Sequence, residues 1–174
     1  MTLLVKGSTF VPAPTGLSAA VCIDVVDLGT QETQFGARSR VKIVWALSKT
    51  MKDGRPFIVG RIYGRSLHPK AQLRQDLESW SGRKLSAKQI SSGIDLERLI
   101  GRGAYLSIQH DERDGTTYAN VTAIVPLPDD QQAPPIPKDY VRVKDRDNGS
   151  GGRYENGGDS DGPPPPDDTD EIPF

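Results

Sequence analysis

Arg55, Phe57, Arg61, Tyr63 and Arg65 fall on odd positions of one short run, residues 55–66 (RPFIVGRIYGRS). Alternate residues of an extended strand share a face. The spacing therefore gathers three guanidinium groups and two rings, together with Val59, on one side, and Ile58, Gly60, Ile62 and Gly64 on the other. Burying three arginines is costly, so the sequence predicts that the isoleucine and glycine face turns into a core and the cationic face meets solvent. Guanidinium groups neutralise phosphates, and flat rings stack on bases at about 1–3 kcal/mol per base. Such a surface would hold unpaired nucleic acid without reading its sequence. Arg40 and Lys42, on the preceding strand, extend the surface. Phe35 and Arg38, in the connection around Gly36, add a ring and a cation, and Tyr118 is a further ring further along the chain.

Other residues carry less. Trp45 shares parity with Val41, Ile43 and Leu47 and reads as core, and Trp80 reads as a helix's packing residue. For Phe57 a place plugging the end of a barrel stays open, as does an ordinary half-buried position for Tyr63. Arg74, Arg83, Lys84 and Lys88 fit a solvated helix and its exit. Catalysis finds no support. Asp24 and Asp27 sit three apart in a strand, which sends them to opposite faces, and no glycine-rich phosphate loop ending in Lys-Ser/Thr exists. His68 and His110 are isolated, and Cys22, the single cysteine, excludes an internal disulfide and a cysteine-rich zinc site. Neither a catalytic residue, nor a metal site, nor a cofactor is expected.

The elements that would position these groups can be read from period and punctuation. Residues 18–28 alternate Val21, Ile23 and Val25 on one face, and residues 40–48 alternate Val41, Ile43, Trp45 and Leu47 inward with Arg40, Lys42, Val44 and Ala46 outward. Asp53-Gly54 then turns the chain into residues 55–66, a good hairpin signal. Leu73, Leu77 and Trp80 recur at helical spacing up to Gly82, and a shorter helix is expected from Asp95 to Ile100. Residues 104–110 and 117–125 flank Asp114-Gly115 as a second hairpin, with Tyr118 on the parity opposite to Val121, Ala123 and Val125. The order strand, strand, strand, helix, strand, strand predicts an all-β domain with one or two helices. It is the order of the OB-fold, a five-stranded barrel with its helix between strands 3 and 4.

Charge divides the chain. Residues 1–128 hold 17 Lys and Arg against 11 Asp and Glu, a net +6, whereas residues 129–174 hold 5 against 12, a net −7. A basic body with an acidic tail suits a nucleic-acid binder that also engages proteins. Composition shifts at Pro126–Asp130, after which Gly, Pro, Ser and Asp dominate and too little apolar surface remains to offset ordering entropy. The expected organisation is a folded domain over 1–127, a disordered linker over 128–166 and an acidic tip over 167–174. The N-terminal ten residues are too short in apolar run for a secretory signal, and no run of about 18 apolar residues would span a membrane. The expected compartment is the reducing cytoplasm.

The last eight residues, Asp167-Asp168-Thr169-Asp170-Glu171-Ile172-Pro173-Phe174, form a portable ligand. Phe174 can fill an apolar pocket, its terminal carboxylate can meet a cation, and Asp167, Asp168, Asp170 and Glu171 can steer toward a basic rim. Pro173 limits the freedom lost on docking. This segment resembles the acidic tip of bacterial single-stranded DNA-binding proteins, which ends in acids followed by Ile-Pro-Phe. The resemblance implies an OB domain that binds single-stranded DNA and a tip, built here by Ile172, Pro173, Phe174 and the acids before them, that recruits replication, recombination and repair enzymes. The body departs from that family. Asp27-Leu28-Gly29-Thr30-Gln31, Ser66-Leu67-His68 and Leu73-Arg74-Gln75-Asp76-Leu77-Glu78-Ser79-Trp80 are more similar to bacteriophage-encoded OB-type proteins, which implies a phage product acting with host or phage enzymes in a bacterial cytoplasm. Only the tip favours DNA over RNA; self-association into a homo-oligomer stays open. Two alternatives remain: a protein–protein adaptor on an OB-type barrel, and an RNA-binding or strand-annealing protein.

Overall fold

The computed structural model describes residues 11–146. The expectations placed on residues 1–10, on the linker beyond 146 and on the tip lie outside the described residues. Five antiparallel strands, β1 (Gly16–Thr33), β2 (Gly36–Thr50), β3 (Pro56–Gly64), β4 (Gly103–Arg113) and β5 (Thr116–Pro126), form one sheet in the order β3-β2-β1-β4-β5. The helix α1 (Gln72–Ser81) falls between β3 and β4, so the OB-type order expected from the sequence is the order observed. β3 and β5 lie at opposite ends of the hydrogen-bonded order yet approach each other, with α1 against both. Among the described residues no ladder joins them. No described helix is long and apolar enough to cross a membrane.

Local chemistry explains most boundaries. Asp114 (φ 50°) and Gly115 (φ 76°) both take left-handed backbone, which a two-residue hairpin needs to match strand twist. Gly82 ends α1 in the same conformation. α2 (Ala87–Ser92) opens on a reciprocal cap in which Ser86 Oγ accepts from the Gln89 amide and the Gln89 side chain accepts from the Ser86 amide. Asp95 accepts from Glu97 N at the head of a 3-10 turn over Leu96–Leu99, where the sequence predicted a short helix.

Two apolar clusters occupy opposite faces of the sheet. The main one takes Val41, Ile43, Trp45 and Leu47 from β2, Ala20 and Cys22 from β1, Leu106 and Ile108 from β4, Val121 and Ile124 from β5, and Leu73, Leu77 and Trp80 from α1. The ring centroids of Trp45 and Trp80 stand 6.0 Å apart, and Trp80 Nε1 donates to Gly103 O at 2.9 Å. The second cluster, Val21, Ile23, Val44 and Ala46, lies on the outer face beneath Ala133 and Tyr140.

Bulges move residues from the faces a strict alternation would give them. Ile23 is the extra residue between Cys22↔Trp45 and Asp24↔Val44. Val21 and Ile23 therefore join the outer cluster, while Val25, expected beside them, packs on the main core. Thr122 is extra between Val121↔Ile108 and Ala123↔Ser107, so Ile124 enters the core and Ala123 and Val125 face out.

Packed chain also continues past the expected boundary at 127. Residues 133–143 run as a strap over the outer cluster, held by Asp24, a carboxylate only 1% exposed. Tyr140 Oη donates to Asp24 Oδ2 at 3.0 Å, Arg142 Nε to Oδ1 at 3.0 Å, and Val143 N to Oδ2 at 2.9 Å. Arg142 also reaches Glu97 at 2.7 Å. Apolar residues at Ala133 and Tyr140, too sparse to suggest a core, suffice because the sheet already offers an apolar patch and a buried charge in need of donors.

Candidate nucleic-acid interface

The outer face of β2 and β3 is built by alternation. Arg38, Arg40 and Lys42 occupy successive same-side positions of β2, with Arg40 opposite Gly64, Lys42 opposite Ile62 and Val44 opposite Gly60 across the ladder. The glycines shape this strip. A Cβ on Gly60 would stand 2.6 Å from Lys42 Cε, so its absence lets the lysine stem lie across β3, and at Gly64 a Cβ would meet open space. Lys42 and Arg38 are half-buried and Arg40 is buried at 9% exposure. The β1–β2 hairpin projects beyond them. Phe35, 68% exposed at its tip, is positioned by Thr33, whose Oγ1 accepts from Phe35 N and donates to Gly36 O. Of the residues the sequence singled out, Phe35, Arg38, Arg40 and Lys42 are thus brought onto one hairpin and one outer face.

The cationic face expected on β3 is corrected by the structure. Val59 and Tyr63 are each 2% exposed and belong to the main core, and Phe57 packs against it. The face carrying Phe57, Arg61 and Tyr63 points inward, while Ile58, Gly60, Ile62 and Gly64 lie on the outer side. The cause is Asp76, buried on α1. Tyr63 Oη donates to Asp76 Oδ2 at 2.6 Å, Gln72 Nε2 donates to Oδ1 at 2.8 Å, and Arg61 Nη1 stands 3.0 Å from Oδ2 as an ion pair. Arg61 also lies over the Tyr63 ring, 5.5 Å from its centroid. A paired arginine can be buried where an unpaired one cannot. The signal was in the sequence: Asp76 sits three residues after Leu73, on the same helical face as Leu73, Leu77 and Trp80.

The remaining candidates are scattered. Arg55 lies in the β2–β3 turn with Asp53 at 2.6 Å, and this hydrogen-bonded guanidinium holds the Asp53 carboxyl below its ordinary range. Arg65, beyond β3, stands 3.5 Å from Asp27. Tyr118 is half-buried on β5 opposite Asp111, its parity opposite to that of Ala119 and Val121, with β1 and β4 between its strand and β2. Phe57, Arg61 and Tyr63 therefore do not share the outer face with Arg40 and Lys42; Arg55 sits in the β2–β3 turn, Arg65 continues β3 with its amide donating to Ser39 O at 3.0 Å, and Tyr118 lies on β5.

Asp24 and Asp27 form no pair either, the first buried under the strap and the second exposed beside Arg65. His68 Nδ1 accepts from Lys70 N, and His110 Nε2 lies 2.6 Å from Ala13 O. Among the described residues no three His, Cys, Asp or Glu side chains gather as a metal site would need. Burial pushes the Cys22 thiol up to about 12, which removes it from nucleophilic chemistry at neutral pH. Sequence reasoning missed the strap, whose Arg142 pairs with Asp24 and Glu97 and whose Tyr140 carries Arg146 over its ring; their spacing within a Pro- and Asp-rich stretch gave no periodic signal.

No protein-family model matches the chain, and a comparison with curated proteins finds no match.

Proposed function

We infer that the protein binds single-stranded DNA without sequence preference along the outer face of β2 and β3, and that its acidic Ile-Pro-Phe tip recruits partner enzymes. The observation carrying the first half is the succession Arg38, Arg40, Lys42 on one face of β2, beside a strip of β3 kept low by Gly60 and Gly64 and below an exposed Phe35. Cations in a row at strand spacing follow a phosphodiester backbone, the low strip lets that backbone approach the sheet, and the hairpin ring offers a stacking surface. An OB-type sheet presents its second and third strands to oligonucleotides, and the basic balance of residues 1–128 favours a polyanion. The second half is supported by the tip's sequence alone.

The test is a titration of labelled oligo-dT at several salt concentrations with wild type, Lys42→Glu, Arg38→Glu and Phe35→Ala. Wild type should bind below micromolar at low salt, with affinity falling as salt rises. Each charge reversal should weaken binding at least about tenfold and flatten the salt slope, while Phe35→Ala should cost about 1–3 kcal/mol with the slope unchanged. Binding that none of the three changes would refute this face, and absence of binding would refute the function.

A further inference from the structure

The outer face is not all open. The strap covers its Val21, Ile23, Val44 and Ala46 end, and the Asp24 carboxylate fixes where that cover stops. Tyr140 packs in a cluster that includes Val26, and Val26 is the cross-strand neighbour of Lys42. Arg142 Nη2 reaches Val25 O at 3.4 Å, so the pinned stretch 140–143 lies along β1 one row from the lysine. Just after it the chain turns back through a 3-10 turn over Val143–Asp145, which returns Arg146 onto Tyr140, its guanidinium carbon 5.6 Å from the ring centroid. Arg146 Nε donates to Val141 O at 3.1 Å. That bond and the ring orient the planar group while leaving it exposed. A cation held this way has already given up much of the side-chain freedom it would lose on meeting a phosphate.

We propose that the strap is one wall of the nucleic-acid groove and that Arg146, stacked on Tyr140, contacts the phosphodiester backbone of a single strand running past Lys42. This rests on the function inferred above and adds to it a second element and a second cation. The strand would lie between the strap and the β1–β2 hairpin, with Lys42 beneath it, Arg146 on one side and Arg38 on the other.

The experiment measures oligo-dT binding by the full chain across a salt series for wild type, Lys42→Gln, Arg146→Gln and Arg83→Gln. Arg83 lies exposed just past α1, outside the proposed groove, and reports the effect of losing one charge anywhere. Arg146→Gln should weaken binding about three- to tenfold at low salt and lower the salt slope by about 0.7, the value for one phosphate of a single strand, as Lys42→Gln does. Arg83→Gln should change neither by more than the general loss of charge. An Arg146→Gln protein indistinguishable from Arg83→Gln overturns the wall, and if Lys42→Gln is still impaired the binding face survives it. Wild type that does not bind overturns both. Arg146→Lys separates contact from charge: it should restore the slope and only part of the affinity, whereas full recovery would deny the stacked geometry any role.

Discussion

Two buried acids and one half-buried one, all of raised pKa, tie stability to alkaline pH. Burial raises the Cys22 thiol to about 12, and burial with the nearby Asp76 charge raises the Tyr63 phenol well above its ordinary value. Tyr140 is raised by burial and by Asp24. In each case the unfolded chain loses its proton first as pH rises, so the folded state binds more protons and stability falls. The stabilisation is therefore complete below about pH 9 and is lost progressively above it. Melting temperature should be flat from pH 7 to 8.5 and decline from pH 9 to 11. Tyr63→Phe should melt lower at pH 7, by about 1–2 kcal/mol for the lost bond to Asp76, and decline less steeply. A Tyr63→Phe slope equal to wild type would show that the phenol does not titrate with unfolding. The same residues mark what was readable at this scale. The inward place of Trp45 followed from strand parity, but that of Arg61 and Tyr63 did not, because parity says only which residues share a face. Which face turned inward was decided by a carboxylate twelve or more residues away, and a strand read by itself could not show it.

At the scale of elements, the strap is an integral part of the folded domain. Its anchor is one carboxylate serving a phenol, a guanidinium and a backbone amide, all within residues 140–143. Removing Asp24 leaves Arg142 partly buried beside Glu97 alone and uncovers Val21, Ile23, Val44 and Ala46. Asp24→Ala should therefore destabilise the fold by about 3–5 kcal/mol, the usual cost of breaking a buried pair from one side. Limited proteolysis should cut it between residues 128 and 146 while wild type resists there. Equal resistance of the two proteins would mean that packing of Ala133 and Tyr140, rather than the carboxylate, holds the strap. Strand order, hairpins and α1 were legible because each rests on local period and turn chemistry. The strap was not, since its contacts span more than a hundred residues of sequence and its composition is that of a linker. The bulges at Ile23 and Thr122 were equally hidden: an inserted residue leaves no compositional trace, and it exchanges the faces of everything after it.

For the whole molecule, docking of the strap sharpens the division of charge. Residues 129–146 hold four cations and four acids, so the body through Arg146 keeps its net +6, with 21 Lys and Arg against 15 Asp and Glu. The −7 is thereby confined to the 28 residues that follow, where Arg153 is the single cation. These residues begin at Asp147, directly after Arg146 on the proposed wall of the groove, so the acidic segment is tethered at the mouth of the basic face. A tether this short keeps the local concentration of its carboxylates in the millimolar range, and they compete with phosphates for Lys42 and its neighbours. Removing residues 147–174 should raise oligo-dT affinity several-fold at about 20 mM salt and by much less at about 300 mM, where the screening length falls to a few ångström. Removing only Asp167–Phe174, which takes four of the acids, should give a smaller gain in DNA affinity and abolish capture of a partner enzyme. Equal affinities for all three chains at low salt would place the acidic segment away from the face, and would leave partner recruitment as its single role.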